Sequence, residues 1–423
     1  MGAVSRRGDA GQDVLDRAVV AVPRHGRVLV VSDLHLVRLA SIGSQRATDA
    51  IAEAVERWDG PGVVVLAGDC FEMLAEPHLD PGLALDAHPR FAAALTGFGA
   101  GPDRHVIVLP GNHDGHLAWH PSAIETLRTR LGATLALTVD LDLDCGAGTR
   151  RVRIEHGHQL DPANAFVDPR DPAETPLGHH IVQDLMPQVE GLTRTAWGQG
   201  LGLLADPLDL PAVIGSRLLY RQLVPVLAVA SVPLVLAAVL GLASVAGAPT
   251  GVAAAVALIV ALVAGLAIVG GAAFWGGVGW RAFRGWAPDM AGGGDPGNEA
   301  AHRRADALVA EGVAAYVTGH THIPELSERG PVLYANPGCG GGLLHRRPGR
   351  GPLPAAHVVV RHVSWIELDA ADDLAARLVW GHSEAPGLTR IERWATRPAA
   401  PAPAEPTVVA SIGRPSDAVL VLG

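Results

Sequence analysis

The sequence predicts a mixed α/β fold built around a buried sheet. Three short runs of apolar and β-branched residues lie at 27–31, 63–67 and 106–109, and two further predicted strands lie at 152–155 and 314–317. Segments with helical spacing of apolar residues separate the first three runs, at 47–58 and 89–98. Strands that are apolar along their whole length, alternating with helices, are typical of a sheet that is covered on both faces. Strands at 356–368 and 375–381 are predicted to complete the sheet.

A short polar motif directly follows each of these five predicted strands. The motifs are Asp33-Leu34-His35, Gly68-Asp69, Gly111-Asn112-His113-Asp114, His156-Gly157-His158 and Gly319-His320-Thr321-His322. Open α/β sheets usually build their functional sites at the carboxyl ends of their strands. The five motifs are therefore expected to converge in one site.

All five motifs offer oxygen or imidazole ligands, and none offers a thiolate. Such ligands suit Mn²⁺, Fe²⁺, Zn²⁺ or Co²⁺. Two ions roughly 3.5–4 Å apart can bind phosphate oxygens, lower the pKa of a bridging water and orient it for in-line attack. A carboxylate that bridges both ions is the natural central ligand, and Asp69 fits that place. A histidine beside the ions can give a proton to the leaving group.

The ordered set of motifs resembles the calcineurin-like metallophosphoesterase superfamily over roughly residues 27–165 and 300–340. The resemblance implies a four-layer β-sandwich flanked by helices, with a dinuclear site for two divalent metal ions, Mn²⁺ being the first expectation. By the same resemblance, the first metal is held by Asp33, His35 and His322, the second by Asn112, His156 and His320, and Asp69 bridges them.

The resemblance also assigns roles to residues beside the metals. His113 is expected to assist the leaving group, with Asp114 orienting it. In the family, the histidine before glycine is the ligand of the fourth motif, which favours His156, but the sequence alone leaves His156 and His158 open. His158 is then expected to face the substrate.

Three segments resemble the UDP-2,3-diacylglucosamine pyrophosphohydrolase branch of the superfamily. They are Ser32-Asp33-Leu34-His35-Leu36, Asp69 with Phe71-Glu72, and Asn336-Pro337-Gly338. That branch carries a helical insertion between its fourth and fifth motifs, and residues 166–222 are predicted to form such a cap. The fourth motif departs from the branch, which has His-Gly-Asp where this chain has His-Gly-His. Gly68-Asp69 also lacks the arginine-bearing continuation of the protein phosphatases.

The most apolar segment of the chain lies in the same gap between motifs. Residues 223–280 contain no Asp, Glu, Lys, Arg or His, and a Gly/Pro-containing turn is expected at 247–251. Because a bilayer core needs about 20 helical residues, the segment is long enough for a transmembrane helical hairpin. Arginines flank both outer ends, which favours an inner-membrane protein with a cytoplasmic catalytic domain. The alternative is a buried hairpin in a large core.

These interpretations divide the chain into six units. They are a flexible segment 1–26, the first part of the core 27–165, a helical cap 166–222, the transmembrane hairpin 223–280, the second part of the core 281–390 and a flexible tail 391–423. The expected partners are the lipid bilayer and a phosphoester or pyrophosphate substrate. The net charge of -10 argues against non-specific binding of nucleic acid.

The predicted function is that of a membrane-anchored, dinuclear metal-dependent phosphoesterase. It would hydrolyse a phosphoester or pyrophosphate bond, in a lipid-linked or nucleotide-linked substrate, by attack of a metal-bridging hydroxide. One alternative is a phosphodiesterase or phosphatase for soluble nucleotides that is merely localised to the membrane. The other is a non-catalytic membrane scaffold, against which the intact set of predicted ligands speaks.

Overall fold

The fold consists of two β-sheets that face each other, with helices on their outer faces. The structure, a computed structural model, describes residues 5–7, 14–77, 79–185, 203, 210–228, 231, 259, 265, 298–351, 353–398 and 403–413. The strands are β1 (Ser5–Arg7), β2 (Leu15–Val22), β3 (Arg27–Val31), β4 (Gly62–Ala67), β5 (Arg104–Leu109), β6 (Thr134–Cys145), β7 (Gly148–Ile154), β8 (Val313–Val317), β9 (Glu325–Arg329), β10 (Val332–Asn336), β11 (Gly341–Arg347), β12 (Ala356–Ala370), β13 (Leu374–Glu384) and β14 (Thr407–Ile412). The helices are α1 (Ile42–Glu56), α2 (Pro81–Ala87), α3 (Pro89–Gly99), α4 (Pro121–Leu131), α5 (Leu177–His180), α6 (Leu210–Arg217), α7 (Glu299–Leu308) and α8 (Arg390–Ala395).

Strand β6 connects the two sheets. Its first residues pair with β5 in the sheet ordered β14-β13-β12-β3-β4-β5, while the rest pairs with β2 and β7 in the second sheet. Strands β3, β4 and β5 are parallel and in register, so they end side by side at Val31, Ala67 and Leu109. In the second sheet, β7 and β8 are also parallel, and Ile154 pairs with Val317. The five motifs therefore begin at adjacent strand ends.

Three apolar clusters separate four layers. One fills the space between the first sheet and helices α1–α4 and includes Ile51 and Phe91. A second lies between the two sheets and includes Val65 and Leu141. A third packs α7 against the second sheet around Tyr316. This arrangement agrees with the prediction of a mixed α/β fold.

Helix α1 shows how local sequence produces these layers. Ser41 caps its first turn, because the Ser41 hydroxyl accepts from the Ser44 amide while the Ser44 side chain accepts from the Ser41 amide. Ala47, Ile51 and Val55 recur at a spacing of four residues and are all buried against the sheet. The helix follows the first motif directly, so its packing fixes where that motif lies.

The predicted transmembrane hairpin requires correction. None of the helices in the described residues combines the length and the apolar character that crossing a bilayer requires. This finding overturns the hairpin at 223–280 and the multi-pass, inner-membrane localisation that depended on it. Of that segment the structure describes 223–228, 231, 259 and 265, and the remainder lies outside the described residues.

The residues just before the apolar segment contact the core. Helix α6 continues through a π-helical turn at Leu218–Leu223, and this stretch packs against the core instead of leaving it. The Tyr220 hydroxyl donates to the carbonyl of Pro354 at 2.6 Å, and Arg221 pairs with the buried carboxylate of Glu392 at 2.8 Å. An uncharged composition alone does not set the length of a helix.

Two segments that were expected to be flexible contribute strands. Residues in the predicted N-terminal segment form β2, which pairs along seven positions with β6. Residues in the predicted C-terminal tail form β14, which pairs with β13. In β2, Ala18, Val20 and Val22 are buried, so the strand has the alternation typical of a half-covered sheet.

Candidate metal centre

The strand ends bring six of the seven predicted metal ligands into two groups that could each hold a metal ion. The first group contains Asp33, His35 and His322, and the second contains Asp69, His156 and His320. The groups adjoin, because one oxygen of Asp33 lies in the first group while the other accepts from the His320 amide at 3.0 Å. The third possible group in the described residues, His35, Glu72 and His113, shares His35 with the first.

The first group directs nitrogen and oxygen atoms at a common point. Nε2 of His322 lies 3.1 Å from Oδ1 of Asp33 and 3.3 Å from Nε2 of His35. Nδ1 of His35 hydrogen-bonds the Glu72 carboxylate at 2.9 Å. That contact leaves Nε2 of His35 as the lone-pair nitrogen that faces His322, which is the arrangement of a metal-binding imidazole held by a carboxylate.

The second group is centred on Asp69. Nδ1 of His156 donates to the carbonyl of Ala67 at 2.9 Å, which directs its Nε2 into the group, 3.2 Å from Oδ2 of Asp69. Nε2 of His320 hydrogen-bonds Oδ2 of Asp161 at 3.0 Å, which leaves Nδ1 of His320 free. The seventh predicted ligand, Asn112, is linked to the same group through Asn164, with 3.4 Å between the two amides.

Most of these residues have a strained backbone. Seven non-glycine residues among those described have a positive φ angle, and five of them are predicted ligands: Asp33, His35, Asp69, His320 and His322, with φ between 44° and 70°. Such conformations cost roughly 1–3 kcal/mol each and are found at functional sites, where the surroundings hold them. The strain therefore marks the same residues as the motifs do.

Two motif glycines are required by close packing. A Cβ atom at Gly111 would collide with the carboxylate of Asp69. One at Gly319 would collide with the side chains of Ser32 and Asp33. The glycines therefore allow the third and fifth motifs to approach the two carboxylates of the site.

The electrostatics of the site fit a bound cation. Burial raises the pKa of Asp69, but the charges of His156 and His113 outweigh it, so the pKa of Asp69 falls well below its usual range. The pKa of Asp33 is also lowered, since His322 outweighs the effect of burial. Buried atoms without a hydrogen-bond partner in the described residues include Asp33 Oδ1, Asn112 Oδ1 and His156 Nε2. Buried carboxylates and unpartnered ligand atoms at one point are what a metal-binding site requires.

The partner of His113 differs from the prediction. Nδ1 of His113 lies 2.9 Å from Oε2 of Glu72, and the Asp114 carboxylate does not orient it. Although burial lowers the pKa of His113, the carboxylates of Glu72 and Asp69 raise it to about 10. His113 is therefore held in its protonated form, which is the form that can give a proton to a leaving group.

Asp114 instead organises the backbone beneath the site. Its carboxylate accepts from the amides of Gly111 at 2.6 Å, Cys70 at 2.9 Å, Asp69 at 3.1 Å and Phe71 at 3.2 Å. Burial and the charge of Asp69 raise the pKa of Asp114 to about 6. The Asp114 side chain thus points into the loop of the second motif.

The two histidines of the fourth motif have different surroundings. His156 lies in the group around Asp69, whereas His158 packs its ring against Phe166, with 5.5 Å between the centroids. Burial lowers the pKa of His158 well below its usual range, and the charge of His156 adds to that effect. His158 is therefore neutral beside the second group.

Sequence reasoning missed two carboxylates of the site as functional residues. Glu72 was noted only for its resemblance to one branch, although its position three residues after Asp69 places it on the same loop. Asp161 lies five residues after His156 and contacts His320. The position of Glu72 close to Asp69 in the sequence indicated a role in the site. Nothing in the sequence indicated such a role for Asp161, because Asp161 contacts His320, which lies far along the chain.

Comparison with known proteins identifies the class of the site. Residues 26–199 match the family model of the calcineurin-like phosphoesterases. That match covers the first four motifs. The match supports a metal-dependent phosphoester hydrolase. No curated protein matches the sequence.

Several solved structures are similar at low sequence identity. A dimetal phosphatase from Danio rerio is 12% identical, with a TM-score of 0.32, and the match covers 84% of this chain and 95% of that one. A predicted phosphoesterase from Streptococcus pneumoniae TIGR4 is 12% identical, with a TM-score of 0.27 and coverage of 86% and 94%. The phosphopantetheinyl hydrolase of Mycobacterium tuberculosis is 11% identical, with a TM-score of 0.27 and coverage of 75% and 90%.

Proposed function

We propose that this chain hydrolyses a phosphoester or pyrophosphate bond with two divalent metal ions, Mn²⁺ being the first expectation. The observation that carries the proposal is the pair of adjoining ligand groups around Asp33 and Asp69. Asp33, His35 and His322 would hold one ion, Asn112, His156 and His320 the other, and Asp69 would bridge them. When bound, the ions would neutralise phosphate oxygens and lower the pKa of the water that acts as nucleophile.

The chain's own residues prepare the ligands for this role. Glu72 fixes the ring of His35, and the carbonyl of Ala67 fixes the ring of His156, each through Nδ1. Each contact leaves Nε2 as the nitrogen that faces the ligand group. Fixed orientation matters, because ligands that need no rearrangement lose little entropy when they bind.

His113 is the proposed acid for the leaving group. Its ring packs edge-on against His35, with 4.6 Å between the centroids, so it lies beside the first ligand group. Glu72 holds its Nδ1, which leaves the Nε2 proton available to a departing oxygen. Because Glu72 contacts both His35 and His113, it aligns the acid with the ligand group.

Replacing Glu72 with glutamine is expected to lower kcat by about 10²-fold. Removing the negative charge of Glu72 lowers the pKa of His113, so the alkaline limb of the pH–kcat profile should move to lower pH. The loss should be larger for an alkyl phosphodiester than for a p-nitrophenyl ester, since p-nitrophenolate departs without a proton. Steady-state kinetics across pH on both substrates measure this.

The matched control for this prediction is Glu76→Gln. Glu76 lies four residues further along and pairs with Arg38 at 3.0 Å on the surface. This variant should keep the wild-type profile. An equal loss on both substrates in Glu72→Gln, with no shift in the profile, would contradict the role of His113 as the acid.

The proposed substrate is a nucleotide-linked or lipid-linked phosphoester or pyrophosphate. Because no helix of the described residues could span a bilayer, the two substrate classes are alternatives on equal terms. A screen with Mn²⁺ separates them by comparing nucleoside diphosphates, nucleotide-linked sugars and nucleotide-linked lipids in detergent. The proposal requires metal-dependent turnover of at least one phosphoester or pyrophosphate, and a screen without any such turnover would contradict it.

A further inference from the structure

One loop directly follows His156 in the chain and contacts His320 and Asn112, the other two residues proposed to hold the second metal. We call residues 157–165, which come after His156, the brace loop. Oδ2 of Asp161 lies 3.0 Å from Nε2 of His320 and also accepts from the Asn164 side chain at 2.6 Å. Asn164 in turn accepts from the side chain of Asn112 at 3.4 Å. The brace loop thus connects the third, fourth and fifth motifs.

The brace loop is held by its own backbone. The amide of Asp161 donates to the carbonyl of His158 at 3.0 Å, and the amide of Asn164 donates to the carbonyl of Asp161 at 2.9 Å. The other oxygen of Asp161 accepts from the Ala163 amide at 2.9 Å, so both oxygens of this carboxylate are engaged. Asp161 therefore has a fixed position when it meets His320.

A second contact ties the brace loop to the segment between the fourth and fifth motifs. The amide of Gly178 donates to the carbonyl of Ala163 at 2.9 Å. A Cβ at Gly178 would collide with the Asn164 side-chain oxygen, so α5 packs directly on that amide. Asn164 is therefore confined from both sides, by α5 and by Asn112.

We propose that Asp161 and Asn164 are positioning residues that determine the affinity of the second metal selectively. Asp161 accepts the Nε2 proton of His320, which fixes the tautomer and leaves Nδ1 as the ligand nitrogen. Asn164 engages the side-chain nitrogen of Asn112, which leaves the Asn112 oxygen as the ligand atom. This inference rests on the proposed function, because it concerns how the second of the two proposed ions is held.

The first ligand group is supported differently. Its histidine His35 is held by Glu72, and one oxygen of Asp33 accepts from the amide of His320. Replacing Asp161 should therefore weaken the binding of the second ion and leave the binding of the first ion unchanged. If the brace loop only stabilised the fold, the same replacement would weaken the binding of both ions equally.

The test is Mn²⁺ binding to the chelator-treated chain, without reference to activity. Isothermal titration gives the two dissociation constants, and electron paramagnetic resonance distinguishes coupled pairs from single Mn²⁺ ions. Asp161→Ala and Asn164→Ala should each raise the second dissociation constant by about 10–100-fold and leave the first unchanged. At one equivalent, both variants should then show only the signal of isolated Mn²⁺.

Asp168→Asn is the matched control, because Asp168 is an exposed residue just beyond the brace loop, and its side chain accepts from the amide of Arg170. It should bind two ions as the wild type does. Circular dichroism identifies any variant that fails to fold, and Asp161→Asn, which keeps an acceptor for His320, then replaces Asp161→Ala with a smaller expected loss. The inference would be overturned if the variants at Asp161 and Asn164 both left the two Mn²⁺ dissociation constants unchanged. It would also be overturned if they raised both constants equally. A wild type that binds no Mn²⁺ would instead contradict the proposed function.

Discussion

Asp69→Asn is expected to lower kcat/KM for phosphoester hydrolysis by about 10³-fold or more. The carboxylate lies between His156 and the His113 amide, with distances of 3.2 and 2.7 Å, and it is the only residue proposed to touch both ions. Metal ions contribute several kcal/mol of transition-state stabilisation, and each 1.36 kcal/mol changes the rate about tenfold. Steady-state kinetics with saturating Mn²⁺ measure the loss.

Asp306→Asn serves as the control for this substitution. Asp306 lies on α7 and forms a surface ion pair with Arg329 at 3.3 Å. Its replacement removes the same charge without reaching the site, so activity should stay at the wild-type level. If Asp69→Asn retained more than about a tenth of the activity, a loss of under 1.4 kcal/mol, the bridging role would be wrong.

Asp114→Ala is expected to lower the free energy of unfolding by about 3–5 kcal/mol. The carboxylate satisfies four backbone amides of the second and third motifs, and Asp114 is fully buried. Removing it leaves those donors without a partner, and each buried unsatisfied donor costs about 1–3 kcal/mol before relaxation. Urea denaturation of the metal-free chain measures the loss apart from any contribution of bound ions.

Asp86→Ala is the corresponding control. Asp86 is exposed on α2 and pairs with Arg130 at 2.6 Å. Because surface ion pairs contribute about 0–1 kcal/mol, this variant should unfold almost as the wild type does. Equal stability of Asp114→Ala and Asp86→Ala would show that Asp114 does not hold the two loops.

The placement of the site was predictable because its signals are local. Each motif follows a predicted strand, and parallel strands in register place their ends at one edge whatever the details of packing. The partner of His113 was not predictable in the same way. Asp114 is adjacent in sequence, but the loop of the second motif brings Glu72 to the ring and turns Asp114 towards its own amides.

The errors share a physical cause. The hairpin was inferred from the length of an uncharged segment, its Gly/Pro-containing turn and its flanking arginines, which are all local features, while the contacts of Tyr220 and Arg221 with the core depend on residues far along the chain. The contact between Asp161 and His320 likewise spans 159 positions. Periodicity and motif spacing report local structure, and they carry no information on which distant side chains meet.

A metal titration of hydrolysis tests whether the metal centre is dinuclear. The chain is stripped with a chelator, dialysed and supplied with increasing amounts of Mn²⁺ while hydrolysis of bis(p-nitrophenyl) phosphate and bound metal are measured together. Two adjoining ligand groups predict no turnover by the metal-free chain and full turnover when two ions are bound per chain. Turnover by the metal-free chain, or full turnover with a single bound ion, would contradict a dinuclear centre.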